Sequence, residues 1–174
     1  MRAPVARPVA GLLAVLAACS PALDWREVRV DDAGFIARFP CRPQRVARDV
    51  TIAGLAVRMQ MMSCSDDGIT YAASWADVED PQAVRPVLEA LRRAAAANLG
   101  MPDGAAAPFA LAGATPNDAS ARLMIQGHLP DGRAVQEHAA FFPRGVRIYQ
   151  ASLIGPAPSS AAIDGFFAGL AFRR

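Results

Sequence analysis

The chain contains no lysine, so arginine supplies its basic side chains apart from two histidines, a bias that we attribute to the base composition of the gene. Only three cysteines and two histidines occur in 174 residues, which argues against a transition-metal site. No apolar run reaches the roughly 20 residues that a helix needs to cross a bilayer. The sequence therefore predicts neither a transmembrane helix nor a metal cofactor.

The N-terminal segment has the features of an export signal. Arg2 and Arg7 form a short positive segment, and the apolar run Val9–Ala18 follows it. That run has about ten residues, which is too few for a membrane span and typical of a signal segment. We expect residues 1–18 to be removed from the mature protein.

The signal segment ends in Leu16-Ala17-Ala18-Cys19, which resembles the lipobox of bacterial lipoproteins. The resemblance implies cleavage before Cys19 and lipid on its sulfur. Each buried methylene adds about 0.8 kcal/mol, so several acyl chains would hold the protein firmly on a membrane. The alternative is an ordinary signal peptide that is cut later, for example after Ala22.

Residues 19–24 would then be a short lipidated tether. Ser20 follows the cysteine, at a position where retention in the inner membrane of many bacteria uses Asp. The resemblance therefore implies a cell-envelope protein, anchored in the outer membrane and facing the periplasm.

The other two cysteines, Cys41 and Cys64, are predicted to form a disulfide. A lipidated Cys19 leaves them as a pair in an oxidising compartment, where disulfides persist. Each lies at or just past the end of a predicted strand, and chain reversals can bring two neighbouring strand ends within the roughly 7 Å that a disulfide needs. The alternative is two unpaired buried thiols. A nucleophilic Cys64 would need a histidine partner in space.

The mature chain of about 155 residues suits one domain, residues 25–174. Hydrophobic residues make up 53% of the sequence, which is ample for a core. With Arg2 and Arg7 removed, the arginines and the 16 acidic residues balance. A neutral domain argues against a nucleic-acid partner.

Alternating apolar and polar residues predict an antiparallel sheet. The predicted strands are Trp25–Val30, Gly34–Phe39, Arg45–Ala53, Leu55–Cys64, Ile69–Ala76, Ala121–Leu129, Arg133–Phe142 and Val146–Leu153. Residues Asp31–Ala33, Gly54, Asp66–Gly68, Pro130–Gly132 and Pro143–Gly145 mark the turns between them.

The middle and the end of the chain change to helical spacing. Apolar residues from Val84 to Leu99 recur every three or four positions, with Asp80 as a possible cap and Gly100 as a stop. Ser159 or Ser160 caps a second predicted helix near the end. Residues 101–116 are expected to be mostly loop, with one short strand near Phe109. The predicted class is α+β, with helices packed on an antiparallel sheet.

The order of these segments resembles the PsbP-like superfamily of α/β/α sandwiches. The resemblance is carried by an opening strand that ends in Phe39-Pro40, by the strand Tyr71–Ser74 and the long helix, by Arg147-Ile148-Tyr149, and by the closing Phe166–Phe172 segment. It implies a fold and no activity, because the family shares no catalytic residue.

Candidate catalytic groups are few. If Leu129 pairs with Arg133, His128 pairs with Ala134 and His138 with Met124, which leaves the two histidines on one face but roughly 13 Å apart. A two-residue turn would instead put them on opposite faces, and neither register lets them share a metal ion. They are expected to be surface residues. Glu137 and His138 are neighbours in a strand and point to opposite faces, so they cannot act together.

Two residue clusters have simpler explanations than a cofactor site. Asp77, Glu79 and Asp80 precede the long helix and are interpreted as capping and dipole-compensating residues rather than calcium ligands. Met59, Met61 and Met62 are interpreted as core residues rather than a copper site. No cofactor is predicted.

The expected function is that of a non-catalytic binding or assembly module, anchored to the membrane through Cys19, with an envelope protein as its possible partner. Two alternatives stand beside it. One is a small-ligand carrier, and the other is an enzyme, such as a hydrolase, whose site has no recognisable sequence motif.

Overall fold

The computed structural model describes residues 25–102 and 104–173. Within these residues the strands are β1 (Arg26–Arg29), β2 (Phe35–Phe39), β3 (Gln44–Ile52), β4 (Leu55–Asp66), β5 (Ile69–Asp77), β6 (Ala105–Pro108), β7 (Ala121–His128), β8 (Ala134–Arg144), β9 (Arg147–Gly155) and β10 (Ala171–Phe172). The helices are α1 (Val84–Asn98) and α2 (Ser160–Ala168), and a single 3-10 turn, Pro81–Ala83, precedes α1. The predicted α+β class is confirmed.

The strands form two antiparallel sheets. The large sheet has seven strands in the order β3-β4-β5-β9-β8-β7-β6, and the small sheet has three in the order β1-β2-β10. The prediction treated the opening hairpin as part of one sheet with the other strands, and this was wrong. Local alternation identifies a strand and its buried face, but it does not say against which sheet that face packs.

The large sheet is covered on both faces at its centre. On one face α1 packs through Val87, Leu88 and Leu91 against a cluster that includes Leu123 and Phe141 of the sheet. On the other face lie the small sheet and α2. Aromatic residues dominate this second cluster: Phe35 and Phe39 of β2, Tyr71, Trp75, Phe142 and Tyr149 of the large sheet, and Phe166 of α2.

Two-residue turns fix the register of the first large hairpins. Ala53 and Gly54 have φ angles of 51° and 81°, and Asp67 and Gly68 have 47° and 74°. Positive φ at both central residues is the geometry whose twist matches a β-hairpin. The pairing of β3 with β4 runs from Gln44–Ser63 to Ile52–Leu55 without a bulge.

The helix ends follow the predicted signals closely. The Asp80 carboxylate accepts from the Gln82 N–H at 2.8 Å, so it caps the 3-10 turn that leads into α1. Gly100 has a φ of 74°, which lets the chain leave the helix. Ser159 caps α2 by accepting from the Ala162 N–H at 3.2 Å.

Several strand bounds differ from the prediction. Pro143 and Arg144 were assigned to a turn but belong to β8, because they pair with Ile148 and Arg147 of β9 and the turn begins only at Gly145. The short strand β6 ends just before Phe109. The two-residue strand β10 was not predicted, since two residues carry no periodicity.

Candidate functional site

The predicted anchor, Cys19, lies outside the described residues, as do the signal segment and the rest of the tether. Among the helices that the structure describes, none is both long and apolar enough to cross a membrane.

The structure contains the predicted disulfide between Cys41 and Cys64, with a Cα–Cα distance of 6.0 Å. The prediction had the two residues on neighbouring strand ends of one sheet, and that placement was wrong. Cys41 follows β2 of the small sheet, whereas Cys64 lies on β4 of the large sheet. The disulfide therefore joins the two sheets, and it removes Cys64 as a free nucleophile.

The two histidines have the predicted register, with His128 opposite Ala134 and His138 opposite Met124. The described residues contain no group of three metal-ligating side chains. His138 is not the surface residue that was expected, because it is half-buried and its buried Nε2 has no hydrogen-bond partner within the described part of the chain. Burial and the positive charge of Arg122 lower the pKa of His138.

Glu137, considered in the sequence only as the neighbour of His138, is a buried carboxyl group. It is 8% exposed, and burial raises its pKa to about 7. Val135, Ala139 and Phe141, at alternate positions in the same strand, belong to the α1 side of the core. That alternation was visible in the sequence and could have identified Glu137 as a buried acid.

Arg147 lies at the centre of a cluster that joins the two sheets, which we call the arginine clamp. Its guanidinium binds Asp77 through two contacts of 2.7 Å. It also bonds to Asp32 and, at 3.3 Å, to the buried Asp31. The Tyr149 hydroxyl donates to Asp31 at 2.6 Å, so the clamp holds the β1–β2 turn against β9.

The clamp corrects the interpretation of the acidic residues before α1. Asp80 caps the 3-10 turn rather than α1 itself, whose N-terminus has no side-chain cap, and Asp77 is a partner of Arg147. Arg147 and Tyr149 had been quoted only as part of a family pattern. Their partners lie 70 to 118 positions away in sequence, so local spacing could not reveal them.

The large sheet ends in an uncovered strand, β3, which is nine residues long and pairs with β4 alone among the described strands. The pairing of β4 with β5 starts only at Gln60, so the hairpin from Arg48 to Met59 extends beyond β5. We call this segment the hairpin arm. A groove of about 440 Å³ separates the arm from residues 77–79 at the end of β5.

The backbone along the outer side of β3 is available for pairing. In a hairpin with a two-residue turn the closing pair, here Ile52 and Leu55, is hydrogen-bonded across the strands. Every second residue back along β3 bonds to β4 in the same way, and the residues between them direct N–H and C=O outward. These residues are Arg45, Ala47, Asp49 and Thr51.

Apolar side chains accompany this edge on its α1 side. Val46 is 41% exposed and Leu55 is 38% exposed, two of the few large apolar residues that the described surface exposes to this degree. Val50 and Ile52 lie on the same face and pack at the margin of the α1 cluster. An added strand with apolar residues on this face would extend the existing core.

No protein-family model, no curated protein and no solved structure matches this chain. Its function therefore has to be argued from the chemistry and geometry of its own surface.

Proposed function

We propose that this chain is a lipoprotein of the bacterial cell envelope, anchored through Cys19, whose single domain is a non-catalytic docking module for an envelope protein. The observation that carries the proposal is the outer edge of β3. This nine-residue strand pairs with β4 in regular register, every second residue directs its backbone N–H and C=O outward, and apolar side chains flank the edge. An extended segment of a partner can add to such an edge as a further strand.

Two other features support an exported domain of this kind. The Cys41–Cys64 disulfide suits an oxidising compartment outside the cytoplasm. The layering, with α1 on one face of the large sheet and α2 on the other, agrees with the PsbP-like α/β/α sandwich that the sequence resembles.

Anchoring is tested by replacing the lipidated residue. We expect the wild-type protein to incorporate a fatty-acid label and to fractionate with the outer membrane. Cys19→Ser should lose the label and appear in the soluble envelope fraction. A labelled wild-type protein found wholly in the inner membrane would contradict the outer-membrane localisation, and an unlabelled one would contradict the anchor itself.

Docking is tested by removing one outward N–H from β3. Ala47→Pro deletes that donor without touching a bond to β4, and proline is tolerated on an edge strand when its nitrogen faces solvent. A photo-crosslinking residue at Val46 should attach a defined envelope protein in cells, and adding Ala47→Pro should abolish that product.

The matched control is Ala47→Ser, which keeps the backbone N–H and should keep the crosslinked product. Thermal unfolding of both variants should match the wild type, which separates loss of docking from loss of fold. If Ala47→Pro folds normally and still gives the product, strand addition at β3 is refuted.

A further inference from the structure

The small sheet turns a charged face to solvent. Phe35, Ala37 and Phe39 of β2 point inward and are fully buried, so Ile36 and Arg38 lie on the outer side, where Arg38 is exposed and Ile36 is covered by its neighbours to 8% exposure. On the neighbouring strand β1 the residues opposite these two are Arg29 and Glu27.

Arginine dominates this outer face. Arg29, Arg38 and Arg173 are exposed there, around the outward Ile36. The acidic residue among them, Glu27, is bound by Arg173 at 2.8 Å. The Arg29 Nε donates to the backbone carbonyl of Asp31, which leaves its charge unneutralised by that contact. The face therefore has a net positive charge, although the mature domain as a whole is neutral.

The tether brings this face close to the membrane. Residues 19–24 span at most about 20 Å when fully extended. They lead directly into Trp25 and β1, the first strand of the small sheet. Whenever the tether is not fully extended, the face lies nearer to the membrane than this limit of about 20 Å. Within the screening length of about 10 Å at ordinary ionic strength opposite charges attract, so a basic face can bind anionic headgroups there.

We propose that the outer face of the small sheet, with Arg29, Arg38 and Arg173, lies on the anionic phospholipid surface and sets the orientation of the domain. The inference rests on the proposed anchor at Cys19. The acyl chains supply the attachment, and the arginines bind lipid phosphates and select one of the orientations that the tether allows. Helix α1, on the opposite side of the large sheet, then faces away from the membrane.

The test measures arginine reactivity in one molecule at several positions. Purified lipidated protein is reconstituted into vesicles of phosphatidylcholine alone or of phosphatidylcholine mixed with phosphatidylglycerol, and modification by a dicarbonyl reagent is followed by mass spectrometry. Anionic vesicles should slow modification of Arg29 and Arg38 by about fivefold, and high salt should reverse the effect. Arg85 and Arg93, exposed on α1, are internal controls whose rates should not change.

Charge reversal gives a matched pair of variants. In Arg38→Glu the slowing at Arg29 should largely disappear, whereas Arg93→Glu should leave it intact. Equal modification rates of Arg29 and Arg38 in both kinds of vesicle would overturn the proposed orientation. Equal slowing of modification at Arg85 and Arg93 on α1 would overturn it as well. Flotation of the vesicles distinguishes failure of the anchor from failure of the orientation. A protein that does not float refutes the anchor as well, whereas one that floats with unchanged modification rates refutes only the orientation.

Discussion

At the scale of single residues, Glu137 makes the stability of the domain depend on pH. Its pKa rises from 4.5 in the unfolded chain to about 7 in the folded domain, so folding binds a proton. The contribution of Glu137 to the unfolding free energy is fully present below pH 4.5 and is lost as the pH rises through 7. The shift corresponds to roughly 3 kcal/mol of unfolding free energy.

Glu137→Gln removes the ionisable group and keeps the shape. We expect urea unfolding to show a gain in stability for the variant that is larger at pH 8 than at pH 5. His138 contributes in the opposite direction, since its lowered pKa destabilises the folded state at acid pH. Comparing variant and wild type at each pH cancels that contribution. A difference that does not change with pH would contradict a buried, proton-binding Glu137.

The arginine clamp predicts a second effect at this scale. The Asp31 side chain is 1% exposed, and Arg147 supplies its positive partner. Removing one member of a buried ion pair leaves the other charge buried without its positive partner. Arg147→Met should therefore lower the unfolding free energy by about 3 kcal/mol. Arg58→Met breaks the exposed pair with Asp49 and should cost less than about 1 kcal/mol. Equal losses in chemical denaturation would show that the clamp contributes no more than a surface pair.

At the scale of elements, the end of α1 lies unusually close to β7. A Cβ atom added to Gly127 would be 2.3 Å from the Leu99 carbonyl oxygen, which also accepts from the His128 N–H. Gly127→Ala should therefore push helix and strand apart and cost about 2 kcal/mol in thermal or urea unfolding. Gln126→Ala, at the exposed neighbouring position, should stay within about 0.5 kcal/mol of the wild type. An unchanged midpoint for Gly127→Ala would mean that α1 can shift at no cost.

The elements also show what local sequence can and cannot reveal. The period of two in Ala121, Leu123 and Ile125 placed the buried face of β7 correctly, and helical spacing placed α1. Local sequence did not identify which distant segments pair with one another or contact one another. Neither the separate small sheet nor the contacts of Arg147 follow from neighbouring residues, because both are set by tertiary packing between segments far apart in the chain.

At the scale of the whole molecule, the disulfide is a covalent cross-link that ties the backbone connection between the two sheets to β4. Cys41 and Cys64 enclose a short loop, with a sequence separation of 23. The double variant Cys41→Ser/Cys64→Ser should lose about 2–4 kcal/mol of unfolding free energy. Reduced wild-type protein should unfold at the same urea midpoint as the double variant, and oxidised wild type at a higher one. Free thiols that react after denaturation without reductant would contradict the pairing.

The pairing of β10 with β2 has a consequence for the order in which the molecule assembles. Ala171 pairs with Ile36 across a sequence separation of 135 residues, so the small sheet closes one of the longest loops in the chain. On the proposed export route, a chain that emerges N-terminus first releases the β1–β2 hairpin long before its third strand. Its aromatic side then stays uncovered until the later segments that pack on it have emerged, so we expect late closure of this sheet to be a slow and aggregation-prone stage of folding.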